Sequence, residues 1–236
     1  MPAPLDPSSL SIFTLGLLMG GRHALDADHI VAVSTLTSEN GTLWRSCAIG
    51  AYWGVGHTIM LLLVGMAVLG FKLTIPENLA RFFEACVGVM LVGLGLSVAL
   101  SLMREHLHLH PHSHSERDSS HGHFHVHSHR HEPAHDHGHR FSWVYKSLSI
   151  GMVHGLAGSA LISLMVLSTA QSMMDGFVYL LLFGIGSIGG MVVLGALLSV
   201  PFALTPKAWV HAHRAMRAVA GLISVALGTG ILYSLA

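Results

Sequence analysis

The sequence predicts an all-α polytopic membrane protein, six transmembrane helices arranged as two inverted three-helix repeats. Three observations predict it. Apolar runs longer than about 18 residues recur in a chain of 236 residues with 10% charged residues and a mean hydropathy of +0.60. The two halves carry matching residues in the same order at a near-constant offset. One long polar segment separates the halves, and the other connections are short.

The predicted spans cover 9–36, 44–71, 80–104, 143–171, 175–203 and 213–235. They divide the chain into a first three-helix repeat (1–104), a polar segment (105–141) and a second repeat (142–236). No Lys or Arg precedes Arg22. The first apolar run therefore lacks the positive start of a cleaved signal peptide and is expected to be retained.

The first span carries the most informative residues. Within its apolar run lies Arg22-His23-Ala24-Leu25-Asp26-Ala27-Asp28-His29. A charged residue at the centre of a membrane helix costs roughly 2.5–3.5 kcal/mol on insertion scales, so such a cluster implies a bound ligand. Its nitrogen and oxygen donors suit a divalent transition metal. Two local geometries are open. On a regular helix with about 100° per residue, Arg22, His23, Asp26 and His29 share one face and Asp28 points about 140° away. There, His23, Asp26 and His29 are co-ligands and Arg22 pairs with Asp26. Alternatively, the helix breaks at Gly20-Gly21 and turns Asp28 inward, as broken helices do where transporters bind ions.

The second span carries Gly54-Val55-Gly56-His57-Thr58, with His57 near mid-span and glycines that let a neighbouring helix approach. The fourth carries Gly151-Met152-Val153-His154-Gly155-Leu156-Ala157-Gly158-Ser159. His57 and His154 are expected to complete a metal site with His23, Asp26, Asp28 and His29. Arg22, Thr58 and Ser159 are expected as supporting or weak partners.

The repeat rests on three matches. Gly20, Gly21, His23 and Leu25 align with Gly151, Met152, His154 and Leu156 at an offset of 131. Gly54, Gly56, His57 and Gly65 align with Gly184, Gly186, Ser187 and Gly195 at 130. Arg81, Ala85, Gly88 and Gly95 align with Arg214, Ala218, Gly221 and Gly228 at 133. An odd number of helices per half requires the halves to be inverted, an architecture of transporters with the substrate site near the midplane. The partners of Asp26, Asp28 and His29 are Ala157, Ser159 and Ala160, so the first half supplies most of the donors.

Charge sets the orientation. With the N-terminus outside, the inner side holds nine cations: Arg45, Arg104, Arg117, Arg130, Arg140, Lys146, Lys207, Arg214 and Arg217. The outer side holds Lys72 and Arg81. Both termini are therefore expected outside and the polar segment in the cytoplasm. Cys47 and Cys86 then lie near opposite membrane faces, too far apart for a disulfide, and are read as packing residues.

The polar segment contains fourteen histidines: His106, His108, His110, His112, His114, His121, His123, His125, His127, His129, His131, His135, His137 and His139. Its composition predicts disorder, and His-rich tracts bind metal. Clustered imidazoles hold divalent ions, Zn²⁺ included, loosely but in number. His211 and His213 stand at the inner entrance to the last span and are read as ordinary interface residues.

Several classes are excluded. Zero formal net charge argues against a nucleic-acid partner. No Gly-x-x-x-x-Gly-Lys sequence is present for ATP hydrolysis. His154 and Ser159 lie about 140° apart on one helix, which rules out a nucleophile–base pair and with it the enzyme reading.

His23-Ala24-Leu25-Asp26-Ala27-Asp28-His29 resembles the His, four residues, Asp-His signature of the nickel/cobalt transporter superfamily. The match extends to its urease-accessory nickel permeases, and the Gly-His-Thr of span two is similar to a second signature of that family. The six-span layout with a His-rich loop resembles the nickel/cobalt efflux branch. Classical uptake members have about eight spans and a later Asp-Thr signature, and this chain has neither. The resemblance implies movement of Ni²⁺ or Co²⁺ but not its direction; the expected function is a secondary permease in a bacterial cytoplasmic membrane, supplying metalloenzymes by uptake because span one resembles the uptake signature, with a cytoplasmic nickel chaperone as partner. The alternatives are efflux by proton antiport and a membrane metal sensor or storage protein whose working part is the loop.

Overall fold

The computed structural model describes residues 7–38, 42–73, 75–107, 142–169, 172–204 and 210–236. They form seven helices: α1 (Pro7–His23), α2 (Ala27–Ser38), α3 (Leu43–Phe71), α4 (Glu77–Leu107), α5 (Ser142–Thr169), α6 (Met173–Leu204) and α7 (Val210–Ser234). No strand occurs among the described residues. Among the described residues, four helices are long and apolar enough to cross a membrane: Leu43–Phe71, Glu77–Arg104, Met173–Pro201 and His211–Ser234. The chain is an integral membrane protein. His108 to His139 of the polar segment lie outside the described residues, and His106 falls in the last turn of α4.

The first expected span differs from a single helix. It is two helices, interrupted at Ala24–Asp26 within the signature rather than at Gly20-Gly21. The last turn of α1 tightens into three-residue hydrogen bonds, Leu25 N–H to the Arg22 carbonyl at 2.9 Å and Asp26 N–H to the His23 carbonyl at 3.0 Å. The Asp26 carbonyl then accepts from Ile30 N–H at 3.0 Å and starts α2. The two glycines serve packing instead. A Cβ on Gly20 would collide with the Phe183 backbone, and the Gly186 backbone lies against Leu17 and Gly21.

α3 is the central helix, packed between α5 and α6. α1 packs on α6, and α4 on α7. Missing side chains allow these approaches, because in lipid close van der Waals packing holds helices together. A Cβ on Gly151 would meet the Trp53 backbone, one on Gly56 the Leu148 carbonyl, and one on Gly155 the His57 carbonyl. Between α4 and α7, Gly88 faces Gly228 and Gly95 faces Gly221. Polar braces join the same pair: Ser224 Oγ–H donates to the Leu91 carbonyl at 2.8 Å and Arg217 Nη2 to Ser101 Oγ at 2.9 Å. Ile49, Trp53, Leu91, Val33 and Met191 form the buried core beside the α1–α2 interruption. Cys47 and Cys86 are unpaired and partly buried.

Candidate metal centre

The interruption between α1 and α2 places two helix ends against the middle of α3 and α5. His23 closes α1, and Asp28 and His29 open α2. His57 stands at the centre of α3, and His154 in the first half of α5. Four imidazoles converge there. Ring centroids are 4.5 Å apart for His23–His29, 5.2 Å for His23–His57, 5.3 Å for His29–His57 and 4.0 Å for His29–His154. His29, His57 and His154 are at most 1% exposed.

Two overlapping groups have metal-binding spacing. One nitrogen each from His23, His29 and His57 lie within 4.8 Å of one another, and so do donor atoms of Asp28, His29 and His154. The carboxylates act on the imidazoles from behind. Asp26 Oδ2 lies 2.7 Å from His23 Nδ1. Asp28 Oδ1 lies 2.9 Å from His29 Nδ1, and Asp28 Oδ2 lies 2.8 Å from His154 Nε2. A carboxylate that accepts from one ring N–H keeps the proton on that nitrogen and leaves the other nitrogen as a lone-pair donor. Asp28 Oδ1 also accepts from His29 N–H at 2.9 Å, which anchors it in the first turn of α2.

The second nitrogens are left without partners. His23 Nε2, His29 Nε2, both nitrogens of His57 and His154 Nδ1 are buried with no hydrogen bond among the described residues. An unsatisfied buried polar group costs about 1–3 kcal/mol. Five of them together rival the net stability of a typical domain, about 5–15 kcal/mol. Folding alone offers no return for such an arrangement, whereas a bound ion satisfies it. Imidazole sets suit nickel, cobalt and zinc.

The expected residues separate into inner and outer positions. Asp28 faces into the cluster because the helix restarts at Ala27 and changes its bearing. Asp26 sits at the rim, its side chain 56% exposed, and touches the site through His23. Arg22 is exposed and forms no ion pair with Asp26 among the described residues. Thr58 Oγ–H donates to the Gly184 carbonyl at 3.3 Å, a brace between α3 and α6. Ser159 lies in α5, and its side chain is outside the described residues, as is the His loop from His108 onward. His106 and the entrance pair His211 and His213 lie toward helix ends, at the close of α4 and the start of α7.

Sequence reasoning passed over two walls of the site. Trp53 stacks on His29 at 5.9 Å and 5°, and Phe183 lies 5.4 Å from His23. A signal for both lay in the spacing: Trp53 and Phe183 are 130 positions apart, the offset that separates Gly54 from Gly184, and they stand beside His154 and His23 respectively.

Compared with known proteins, the chain is 37% identical over 226 residues to the urease accessory protein UreH of Bacillus sp. (strain TB-90). The match covers 96% of this chain and 92% of that protein. No family model and no solved structure matches the chain.

Proposed function

This chain belongs to the family of the urease accessory protein UreH, within the nickel/cobalt transporter superfamily, and from that premise we propose that it is a secondary permease carrying Ni²⁺ or Co²⁺ inward across the cytoplasmic membrane. The observation that carries the reading is the triad of buried His29 and His57 with partly buried His23: one nitrogen of each lies within 4.8 Å of the others at a helix break, and each ring has a buried nitrogen with no hydrogen bond among the described residues. The ion is the substrate. It exchanges part of its hydration shell for imidazole nitrogens at the triad, while Asp26 and Asp28 keep the rings oriented and their lone pairs available. Asp28 and His154 form the adjoining wall and take part in the same site.

The helices are read as two inverted repeats, and the packing supports this. The close approach of Gly20 to Phe183 has its counterpart in Gly151 against Trp53, and that of Gly186 to Leu17 in Gly56 against Leu148. Gly54 meets Ile188 as Gly184 meets Thr58. Each pair maps onto the other at offsets of 130 and 131, as a two-fold axis in the membrane plane requires.

The excess of Lys and Arg puts both termini outside and the His-rich segment in the cytoplasm. A divalent ion moving inward then gains about 4.6 kcal/mol per 100 mV, so uptake needs no other energy source. The loop receives the ion and hands it to a cytoplasmic nickel chaperone, and it holds Zn²⁺ as well. The test is nickel accumulation in cells expressing His23→Ala or His29→Ala at wild-type level. Accumulation falls to background in both variants. Unchanged accumulation overturns the site.

A further inference from the structure

We propose that Ser187 is a further donor to the transported ion and that it sets the metal preference of the permease. The proposal rests on the permease reading above and adds a residue from the second half to a triad drawn from the first.

Ser187 is fully buried, and its hydroxyl has no hydrogen-bond partner among the described residues. That is unusual for a helical serine, which normally returns its proton to a nearby carbonyl. Ser38, Ser147, Ser199 and Ser224 are buried as deeply and each donates to a carbonyl at 2.7–2.8 Å. Among the described residues, Ser46 is the other buried serine without a partner.

The bearing of Ser187 on α6 follows from its neighbours. Phe183, Gly186 and Gly190 face α1: Phe183 lies against His23, Gly186 against Leu17 and Gly21, and Gly190 against Ala24. Gly184, Ile188 and Met191 face α3, against Thr58, Gly54 and Gly50. With about 100° per residue, Ser187 falls between these two arcs, roughly 40° from Phe183 and 40° from Met191. It therefore points into the seam between α1 and α3, where His23 and His57 stand 5.2 Å apart.

Its height along the helix agrees. The α3–α6 crossing sets Gly54 against Ile188 and Thr58 against Gly184. In that antiparallel register Ser187 stands opposite Val55 and His57 opposite Ile185, so the two lie about 3 Å apart along the crossing. They are also equivalent positions of the two halves, so the second half places a hydroxyl where the first places an imidazole. Three imidazoles leave a divalent first-row ion short of its full coordination. A neutral oxygen donor at this point favours ions that accept mixed nitrogen and oxygen sets over strongly thiophilic ones.

The test is Ser187→Cys in the full chain, with Cys47→Ser and Cys86→Ser removing the native thiols. Loaded with Co²⁺, this variant shows a thiolate-to-cobalt charge-transfer band that the cysteine-free parent lacks, and Cd²⁺ inhibits its ⁶³Ni²⁺ flux at least 10-fold more strongly. Ser199→Cys in the same background, a thiol at a position already bonded to a carbonyl, shows neither. A folded Ser187→Cys protein without the band overturns the proposal. Ser187→Ala is the second readout: the apparent affinity for Ni²⁺ falls 3- to 10-fold relative to Zn²⁺, whereas Ser46→Ala leaves the ratio unchanged. An unchanged ratio in Ser187→Ala also overturns the proposal. Flux that is indifferent to His57→Ala defeats the permease reading itself. Flux that needs His57 but shows no effect at Ser187 defeats this inference alone.

Discussion

Asp28 and His154, 126 positions apart, are joined by a 2.8 Å hydrogen bond between Oδ2 and Nε2. The other oxygen of Asp28 holds His29 Nδ1 at 2.9 Å. One carboxylate thus ties the start of α2 to α5. It fixes two imidazoles and leaves His29 Nε2 and His154 Nδ1 without a partner among the described residues.

Asp28→Asn keeps the shape of this link and removes its charge. An amide cannot accept from both rings as a carboxylate does, so His29 and His154 lose their fixed orientation. The expected loss in Ni²⁺ affinity is about 10- to 100-fold, the usual cost of removing a partner that orients a metal ligand. In a double-mutant cycle with His154→Ala the effects do not add, because both changes break one connection. Additive losses in equilibrium binding contradict the link. Asp26→Asn acts on His23 alone and from an exposed position, so its effect on affinity is smaller than that of Asp28→Asn.

Glycine substitutions separate packing from space. Gly20→Ala and Gly151→Ala drive a methyl group into the Phe183 and Trp53 backbones. Each is expected to destabilise the protein by at least the 1–3 kcal/mol typical of overpacking. The effects should be similar, since at both positions the added methyl group meets a backbone carbonyl of an aromatic residue. At Gly93 nothing lies within 4 Å of an added Cβ, and Gly93→Ala gains about 0.5–1 kcal/mol from helix propensity. Melting temperatures in detergent check both directions. A stabilising Gly20→Ala contradicts the packing described for α1 on α6.

Removal of residues 108–140 tests the division of labour between helices and loop. The triad lies wholly within the helices, so ⁶³Ni²⁺ flux persists, with apparent affinity reduced several-fold as the local store of imidazoles is lost. Complete loss of flux in a normally inserted variant points to the sensor or storage reading.

Much of the site was legible in the sequence because charge in an apolar run is expensive and so marks a ligand. His23, His29, His57 and His154 could be selected without coordinates for that reason. The bearing of Asp28 was not legible. On a continuous helix it points away, and only the three-residue hydrogen bonds at Leu25 and Asp26 turn it inward. Those bonds replace regular ones at Leu25 and Asp26, where no glycine or proline announces a break. Gly20-Gly21 drew attention as the breaker, yet their absent side chains admit α6. Intrinsic propensity and tertiary packing use the same residue, and the sequence does not say which use applies. Trp53 and Phe183 carry no charge that would single them out in an apolar run, and only their shared offset of 130 marks them.

The central claim is that the ion in transit is held by His23, His29 and His57. His57 tests it most directly, because neither of its nitrogens has another partner among the described residues. The measurement is ⁶³Ni²⁺ entry into proteoliposomes under an imposed inside-negative potential, wild type against His57→Ala at matched reconstitution. Wild-type entry rises with the potential, and His57→Ala reduces it to the rate of empty vesicles. Entry through His57→Ala at the wild-type rate would contradict the account.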